Sequence, residues 1–285
     1  MCKLVTHIKR KPELRNLDSM YVAQRLQDRI ESYPRAIVKL EHENSYSRVL
    51  RCKEVRAMIK DVRAELRHNY GMFKNNKSHK VHRFLNRLAE KLEDIDIFSE
   101  ESIYFHKQLL RCHKSTKERL DDYSRLYSEL FNITGRPRAI LDLGCGINPL
   151  SFVFMGLKSV EYTAVELAKQ DCDLMELYFN MAGDNCRGKV LQMDLSEEIG
   201  FPEAEVCFLF KILDVLESQK RGISRTLLNT IESDWIVVSF ATRTLSGKEI
   251  CSERRWFKEL LEEYDYDTLE LDNEIFYIIC NRALP

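Results

Sequence analysis

The sequence lacks the usual features of membrane, secreted and zinc-binding proteins. Its 285 residues contain no run of about 18 apolar residues, so no transmembrane helix is expected. The charged segment 1–15 has no apolar signal-peptide core. None of the nine cysteines forms a Cys-x-x-Cys pair, which argues against a zinc site and a disulfide framework. These absences favour a cytoplasmic protein with reduced thiols and no metal, although His79 and His82 have a spacing compatible with metal ligands.

Glycine and negative charge are scarce in the first half of the chain. Gly71 is the only glycine among the first 130 residues, and the pattern there predicts helices. Residues 1–140 contain 30 Lys and Arg against 19 Asp and Glu, whereas residues 141–285 contain 14 against 26. A basic half of this kind is typical of a surface that binds a polyanion such as RNA. Mutual attraction between the two halves is the alternative.

One predicted helix in the basic half sorts its charges. Within segment 52–68, apolar residues recur at helical spacing, with basic residues along one flank of the apolar face and acidic residues along the other. We expect the basic flank and the lysines that follow it to contact RNA phosphates. An ordinary solvated face is the alternative. The candidate RNA-binding residues are Arg56, Lys60, Arg63, Arg67, Lys74 and Lys77.

Strand and helix patterns alternate in the second half of the chain, after a break at residues 135–137. This alternation predicts an α/β fold with a mainly parallel, doubly wound, Rossmann-like sheet. We expect a helical domain over residues 1–110 and a ligand-binding domain over residues 111–285, with 112–137 as a helical lead-in. Expected strands are 139–143, 160–165, 189–193, 206–210 and 235–240, with an antiparallel pair at 268–271 and 275–280. Helices are expected near 168–181, 212–231 and 253–263.

A glycine turn follows the first predicted strand. Asp142 ends that strand, Gly144 and Gly146 turn the backbone, and Asn148 and Pro149 suit the cap and first turn of a helix. This layout is typical of a nucleotide-type cofactor site. A dinucleotide site would need a third glycine where Pro149 stands. A glycine turn in an ordinary parallel sheet is the other alternative.

Acidic residues end three successive predicted strands. They are Asp142, Glu166 and Asp194, and the carboxyl ends of parallel strands form the ligand-binding edge of such a sheet. S-Adenosylmethionine has an amino group, ribose hydroxyls and an adenine amino group, and each can donate a hydrogen bond to a carboxylate. The three residues in this order therefore favour S-adenosylmethionine as the ligand.

A second group of polar residues lies upstream, at residues 113–119. Arg119 can hold a carboxylate with two parallel hydrogen bonds. Ser115 or Thr116 can cap a helix, with Glu118 in support, so a simple capped helix is the alternative interpretation of this block.

Together the two blocks resemble the aminoglycoside-resistance methyltransferases that modify 16S ribosomal RNA at guanine N7. His113–Arg119 matches the His-x-Ser-Thr-x-Glu-Arg block of that family, and Gly144–Leu150 matches its Gly-Cys-Gly-x-Asn-Pro-Leu loop. Residues 66–71, 210–217 and 239–245 resemble further segments of the family. The resemblance spans about residues 45–280.

The resemblance implies a methyltransferase that uses S-adenosylmethionine and acts on 16S-type RNA of the small ribosomal subunit, near the decoding site. It implies that the helical domain docks on the RNA, and that the loop after the fifth strand faces the target base through Thr242, Arg243 and Lys248. We expect a monomer without a metal or a membrane anchor. The predicted cofactor-binding residues are His113, Ser115, Arg119, Asp142, Gly144, Gly146, Asn148, Glu166, Leu167, Asp194, Leu195, Phe210 and Lys211.

The chain departs from the family pattern near the expected target base. Ala241 replaces a proline, and a shorter basic run follows Leu245, which leaves the target nucleotide open. Lys117 replaces an arginine and Glu166 an aspartate, changes that cofactor binding tolerates. Phe240 and Trp256 are candidates to stack on the base, and core positions are the alternative for both.

The histidine distribution agrees with a transfer that needs no strong base. All seven histidines precede residue 114, and guanine N7 carries a lone pair and no proton, so its methylation depends on alignment. A non-catalytic RNA- or ribosome-binding protein, a methyltransferase with another RNA target and a small-molecule methyltransferase are the alternatives. The basic first half argues against the last.

Overall fold

The computed structural model describes residues 2–15, 17–69, 80–197, 200–243 and 254–281. The chain forms two compact units: Met1–Lys74 with Ala168–Gln170, and Asn75–Leu167 with Asp171–Pro285. Within the described residues, no helix is both long and apolar enough to cross a membrane.

Helices dominate the first unit, as the scarcity of glycine predicts. They are α1 (Cys2–Ile8), α2 (Ser19–Ile30), α3 (Pro34–His42), α4 (Tyr46–Val49) and α5 (Lys53–Asn69), with a 3₁₀ turn at Pro12–Leu14. Asp18 caps α2 by accepting hydrogen bonds from the backbone N–H groups of Met20 and Tyr21, which satisfies donors that the first turn leaves open.

Helix α5 buries the apolar face that its periodicity predicts. The five residues of that face are at most 3% exposed, and they are Val55, Met58, Ile59, Val62 and Leu66. The helix packs against α1, α2 and α3. Because each fully buried side chain of this size stabilises the fold by about 1.5–3 kcal/mol, α5 contributes a large share of the core of this unit.

In the described part of the second unit, four helices precede a seven-stranded sheet. These helices are α6 (Val81–Leu92), α7 (Glu100–Leu110), α8 (Lys114–Glu118) and α9 (Tyr123–Thr134). The strands are β1 (Ala139–Leu143), β2 (Val160–Glu166), β3 (Cys186–Gln192), β4 (Ala204–Phe210), β5 (Ser233–Ala241), β6 (Asp265–Leu271) and β7 (Glu274–Cys280). Between strands lie α10 (Lys169–Ala182), α11 (Leu213–Gln219), α12 (Ile223–Thr230) and α13 (Arg255–Leu261).

The sheet confirms the predicted mainly parallel α/β architecture. Its strand order is β3-β2-β1-β4-β5-β7-β6, with the first five strands parallel. Strand β7 runs antiparallel to both β5 and β6, so the predicted final pair is also confirmed. Because β7 runs opposite to β5, its first residue, Glu274, pairs in register with Ala241 at the carboxyl end of β5.

Several element ends differ from the sequence prediction by one to three residues, and two of the differences bear on the site or on the helix count. The stretch 212–231 is two helices, α11 and α12, because the backbone is extended at Lys220 and left-handed at Gly222, where φ is +85°. Strand β3 begins at Cys186 and ends at Gln192, so Asp194 follows the strand and does not end it. Its Gly188 is required by packing, since a Cβ there would lie 2.0 Å from the Phe179 ring.

Candidate functional site

The glycine turn after β1 forms a tight loop against β2. Gly144 and Gly146 have φ of +68° and +54°, which glycine adopts without strain. A Cβ on Gly144 would lie 2.9 Å from Ile212 Cγ1, and one on Gly146 would lie 3.4 Å from His113 Cε1. The N–H groups of Gly144 and Cys145 donate to the Val165 carbonyl. The loop therefore brings bare backbone to the carboxyl end of the sheet, beside the imidazole of the upstream block.

Glu166, the last residue of β2, fixes this loop. Its carboxylate is buried and accepts hydrogen bonds from the N–H groups of Gly146, at 2.9 Å, and Leu167, at 2.8 Å. These bonds hold the carboxylate at the carboxyl end of β2, beside the glycine turn. The predicted ribose contact stays a prediction.

An amide bridge links the upstream block to the end of β1. The Asn148 side chain accepts hydrogen bonds from Arg119 Nη1 at 2.8 Å and from the Tyr123 hydroxyl at 3.0 Å. Its Nδ2 donates to Asp142 Oδ2 at 2.9 Å. The predicted capping role of Asn148 is wrong, because this bridge engages its amide and the 3₁₀ helix Asn148–Phe154 has no side-chain cap.

Each end of this bridge leaves one polar atom for a ligand. Among the described residues, Arg119 Nη2 and Asp142 Oδ1 have no hydrogen-bond partner; Arg119 Nε, which also lacks one, is buried in an ion pair with Glu274, and the remaining polar atoms of both groups are hydrogen-bonded. Both side chains are buried, at 3% and 1% exposed. A buried guanidinium donor beside a buried carboxylate acceptor fits an amino acid zwitterion, which presents a carboxylate and an ammonium group.

Burial and charge shift the pKa values at both ends of the bridge. Burial raises the pKa of Asp142 to about 6, against the hydrogen bonds from Tyr162 and Asn148 and the charge of Arg119. Burial alone would lower the pKa of Arg119, but the negative charge of Glu274 raises it above its ordinary value. The guanidinium therefore stays charged, while the carboxyl titrates close to neutrality.

A buried ion network completes the site, and the sequence prediction missed its central residue, Glu274. Glu274 Oε2 lies 3.1 Å from Arg119 Nε and 2.9 Å from Lys211 Nζ, and Lys211 Nζ lies 2.8 Å from Glu118 Oε2. Glu274 Oε1 accepts a hydrogen bond from the Ser239 hydroxyl. The one available signal in the sequence was a carboxylate at the start of an otherwise apolar strand, Glu274–Cys280.

Lys211, directly after β4, is held in an unusual backbone conformation. Its φ is +58°, a left-handed value that costs a residue with a side chain about 1–3 kcal/mol and is often found at functional sites. Its N–H donates to the carbonyl and hydroxyl oxygens of Ser239, both at 3.1 Å. This conformation accompanies the two ion pairs of its side chain.

The hydroxyl groups of the upstream block do not cap α8. Thr116 Oγ1 donates to the Leu110 carbonyl at 2.6 Å, and Ser115 Oγ lies 3.1 Å from His113 Nδ1. The alternative interpretation as a simple capped helix is therefore wrong, because these hydroxyls bond elsewhere and α8 has no side-chain cap. The two residues instead fix the block against its own helix and the His113 ring.

The remaining predicted donor-site residues lie around the same edge of the sheet. Asp194 Oδ1 accepts hydrogen bonds from the N–H and hydroxyl groups of Ser196, at 2.9 and 2.7 Å. Leu195 and Phe210 are buried, and the Arg119 guanidinium carbon lies 4.9 Å from the centre of the Phe210 ring. Among the described residues, no group of three or more His, Cys, Asp or Glu is placed to hold a metal ion.

The residues expected to face a target base are only partly described. Thr242 and Arg243 follow β5, and the Thr242 N–H donates to the Asn273 carbonyl at 3.0 Å. Lys248 lies outside the described residues. Phe240 is 1% exposed and packs against Phe257, so it is a core residue and not a stacking surface.

The basic flank of α5 lines a cavity of about 370 Å³ in the first unit. Arg56 and Lys60 are exposed there. Arg63 instead donates to the carbonyls of His7 and Ile8, and Arg67 Nε lies 2.6 Å from Glu13 Oε1. Lys74 and Lys77 lie outside the described residues. The cavity is lined by His7, Lys11, Leu50, Arg56, Ile59, Lys60, Arg63 and Arg67.

Comparison with known proteins identifies relatives of this chain in both sequence and fold. Residues 56–276 match the family model "Ribosomal RNA methyltransferase (FmrO)". A 16S rRNA (guanine(1405)-N(7))-methyltransferase of Micromonospora rosea is 27% identical over 231 residues, 78% of this chain and 81% of that protein. One of the same name from Frankia casuarinae is 29% identical over 184 residues, 60% of this chain and 62% of that protein, less than two thirds of its length.

The fold matches that of a solved 16S rRNA methyltransferase, RmtF, in complex with S-adenosyl-L-homocysteine. The match has a TM-score of 0.75 at 23% identity and covers 98% of this chain and 96% of that chain. The family resemblance expected from the two sequence blocks is confirmed. Because the family model matches more than half of this chain, the chain belongs to the ribosomal RNA methyltransferase family FmrO.

Proposed function

We propose that the protein transfers a methyl group from S-adenosylmethionine to guanine N7 of 16S-type RNA in the small ribosomal subunit. The single observation that carries the donor assignment is the bridge Arg119–Asn148–Asp142, with one open donor and one open acceptor at its ends. Family membership and the activity named for the relatives from Micromonospora rosea and Frankia casuarinae support the RNA target.

The buried polar residues fit the methionine end of the donor. Arg119 Nη2 would hold its carboxylate, and Asp142 Oδ1 would accept from its ammonium group. Gly144 and Gly146 would present bare backbone to the donor, and Glu166 and Asp194 would take the ribose and adenine. The donor supplies an electrophilic methyl group on a sulfonium. The chain's own contribution is orientation, because guanine N7 attacks with a lone pair and loses no proton.

The first unit supplies a surface for RNA phosphates. The cavity beside α5 is lined by six basic or imidazole side chains, and Arg56 and Lys60 are exposed in it. Burial lowers the pKa of His7, and the neighbouring cations Arg63 and Arg10 lower it further, which reflects positive potential there. In this proposal residues 1–110 dock on the RNA and residues 111–285 carry the donor site.

The proposal includes a cytoplasmic, monomeric enzyme that needs no metal. Assembly with the small subunit would hold the target base against the donor, with Thr242, Arg243 and Lys248 near it. A base that lies within a helix must first leave its stack, which costs a few kcal/mol.

Tritiated methyl transfer tests the proposal directly. The purified chain is incubated with labelled S-adenosylmethionine and 30S subunits, naked 16S RNA or tRNA, and the RNA is then digested to nucleosides. We expect label in 7-methylguanosine from 30S subunits. Label in another nucleoside would overturn the target atom, and label only in tRNA would overturn the substrate. Binding of 30S subunits without transfer would favour the non-catalytic alternative.

A further inference from the structure

Glu274 reaches the donor site from a strand that runs against the others. As the first residue of antiparallel β7, it lies beside the carboxyl end of β5, the edge where β1 and β4 also end. Its side chain is 2% exposed and lies within 3.1 Å of two cations, Arg119 and Lys211. Ser239 on β5 donates a hydrogen bond to its second oxygen, which fixes the plane of the carboxylate.

The contacts of the Arg119 guanidinium leave one position open. Glu274 Oε2 forms an ion pair with Nε at 3.1 Å without hydrogen-bond geometry, Asn148 accepts from Nη1, and the guanidinium carbon lies 4.9 Å from the centre of the Phe210 ring. Together these contacts restrict how the group can turn. Among the described residues, neither Nε nor Nη2 donates a hydrogen bond to the protein, but Nε is buried against Glu274, so Nη2 is the nitrogen available to a ligand.

We propose that Glu274 is a positioning residue, which holds the Arg119 guanidinium with Nη2 directed at the carboxylate of the methyl donor. This inference rests on the donor site of the proposed function, and neither the family match nor the sequence blocks assign it. A guanidinium held in its binding orientation loses little side-chain entropy when a carboxylate arrives. Glu274 acts through Arg119 and touches no reacting atom.

The charge of Glu274 matters as well as its shape. Arg119 and Lys211 are two buried cations on either side of it, and Glu118 is the second carboxylate of the network. A neutral amide at position 274 would remove the carboxylate that pairs with both cations, so that among the described residues Lys211 would keep its ion pair with Glu118 and Arg119 would have no direct ion pair. Arg119 would then turn from its present direction to find another acceptor or solvent, since a buried unpaired charge is strongly disfavoured.

Two ligands that differ at the amino acid end separate positioning from general damage. S-Adenosylhomocysteine carries the carboxylate, whereas 5′-methylthioadenosine has the adenine, ribose and sulfur but no amino acid end. For the folded full chain with Glu274→Gln, we expect calorimetry to show about tenfold or more weaker binding of S-adenosylhomocysteine, from loss of a charge-assisted contact. Binding of 5′-methylthioadenosine should change less than about twofold. The matched control is Glu270→Gln, at an exposed position of β6, which should change the binding of neither ligand.

A double variant tests the route through Arg119. In an Arg119→Ala background, Glu274→Gln should add little further loss for S-adenosylhomocysteine. If Glu274→Gln does not fold, Ser239→Ala removes one contact of the carboxylate and should show a smaller loss with the same ligand selectivity. Equal weakening of both ligands, unchanged binding of S-adenosylhomocysteine, or additive losses in the double variant would each overturn the proposal.

Methyl transfer gives an independent readout. In Glu274→Gln we expect a higher KM for S-adenosylmethionine and an unchanged KM for 30S subunits, with kcat largely retained at saturating donor. Failure of the wild-type chain to methylate 30S subunits while it binds S-adenosylhomocysteine would overturn the RNA substrate and leave the role of Glu274 standing. Failure of the wild-type chain to bind S-adenosylhomocysteine would overturn both.

Discussion

The Tyr162 hydroxyl donates a hydrogen bond to Asp142 Oδ2 over 2.6 Å, and both side chains are buried. Asn148 donates to the same oxygen. Asp142 is thus held with its other oxygen open, in surroundings that raise its pKa to about 6. The carboxylate is a charged acceptor at neutral pH and loses that charge in mild acid.

Donor affinity should fall in acid because Asp142 becomes protonated. A neutral carboxyl cannot pair with the ammonium group of the donor, so the Kd for S-adenosylhomocysteine should rise by about tenfold for each pH unit below about 6. Calorimetry between pH 5 and 8 measures this. Asp142→Asn should bind weakly with little pH dependence. An Asp142→Asn variant with the same pH profile as the wild type would contradict the assignment.

Folding stability should respond to Asp142 in the opposite direction. The folded pKa lies above the ordinary value of 3.8, so the unfolded chain ionises first as the pH rises. This group therefore opposes folding above about pH 6 and ceases to do so as the pH falls toward 4. Asp142→Asn, an uncharged near-isostere, should be at least as stable as the wild type at pH 7.5 in denaturant unfolding. Marked destabilisation would contradict this reasoning.

Removal of the Tyr162 hydroxyl should change the pH at which donor affinity is lost in acid. The hydrogen bond from Tyr162 favours the ionised form of Asp142 and lowers its pKa against the effect of burial. In Tyr162→Phe, the pH at which donor affinity is half lost should therefore shift upward. Tyr178→Phe removes another buried hydroxyl, bonded to His106, and should leave this midpoint in place. Equal shifts in both variants would point to a general loss of packing.

His106 should make the fold sensitive to acid. Burial lowers its pKa from 6.5 to about 4, against a hydrogen bond to the Ser102 backbone, so the folded state keeps it neutral. The unfolded chain binds a proton below about pH 6.5, so stability is lost as the pH falls from 6.5 to 4. The loss should reach about 3 kcal/mol, at 1.36 kcal/mol per unit. Denaturant unfolding of the wild type and His106→Gln should show a smaller decline in the variant.

Gly188→Ala should destabilise the protein although Gly188 was absent from the predicted site. The new Cβ would lie 2.0 Å from the Phe179 ring, which packs in the core, so ring or strand must shift. Overpacking of this kind costs about 1–3 kcal/mol. Gly200→Ala is the matched control, because a Cβ there meets nothing within 4 Å. Similar midpoints of urea unfolding for both variants would contradict the packing argument.

Charge reversal at the exposed residues of the cavity should lower the affinity for RNA. It should also make that affinity less dependent on the salt concentration. Arg56→Glu and Lys60→Glu should each lower 30S affinity and reduce the slope of log K against log salt by about 1. Arg187→Glu, at an exposed cation on β3, is the control and should change neither. An unaltered slope in both α5 variants would show that this flank is an ordinary solvated face.

The sequence predicted the parts of the site that follow from local pattern. A buried strand, a glycine turn and acidic residues after successive strands placed Asp142, Gly144 and Glu166 at one edge, because parallel strands share that edge. Asn148 was misassigned because an asparagine before proline has the local signature of a helix start. Its amide is engaged by Arg119 and Asp142, which only the folded chain brings together.

Long-range pairing explains what the sequence could not give. The role of Glu274 depends on the antiparallel pairing of β7 with β5, and a strand pattern alone does not specify the neighbouring strand. Arg63 and Arg67, which were predicted to contact RNA, also have partners that a local sequence pattern does not specify. Their contacts with the carbonyls of His7 and Ile8 and with Glu13 depend on how α5 meets the start of the chain.

The Arg119–Glu274 ion pair also bears on the order of folding. It joins segments far apart in the sequence and exists only when β7 has paired with β5. Closing a loop of that length carries an entropic cost, so we expect this contact to form late in folding. A folding intermediate without β7 would hold Arg119 and Lys211 side by side without their shared carboxylate. Recovery of donor binding during refolding should thus trail the formation of helical structure and mark the moment at which the sheet is complete.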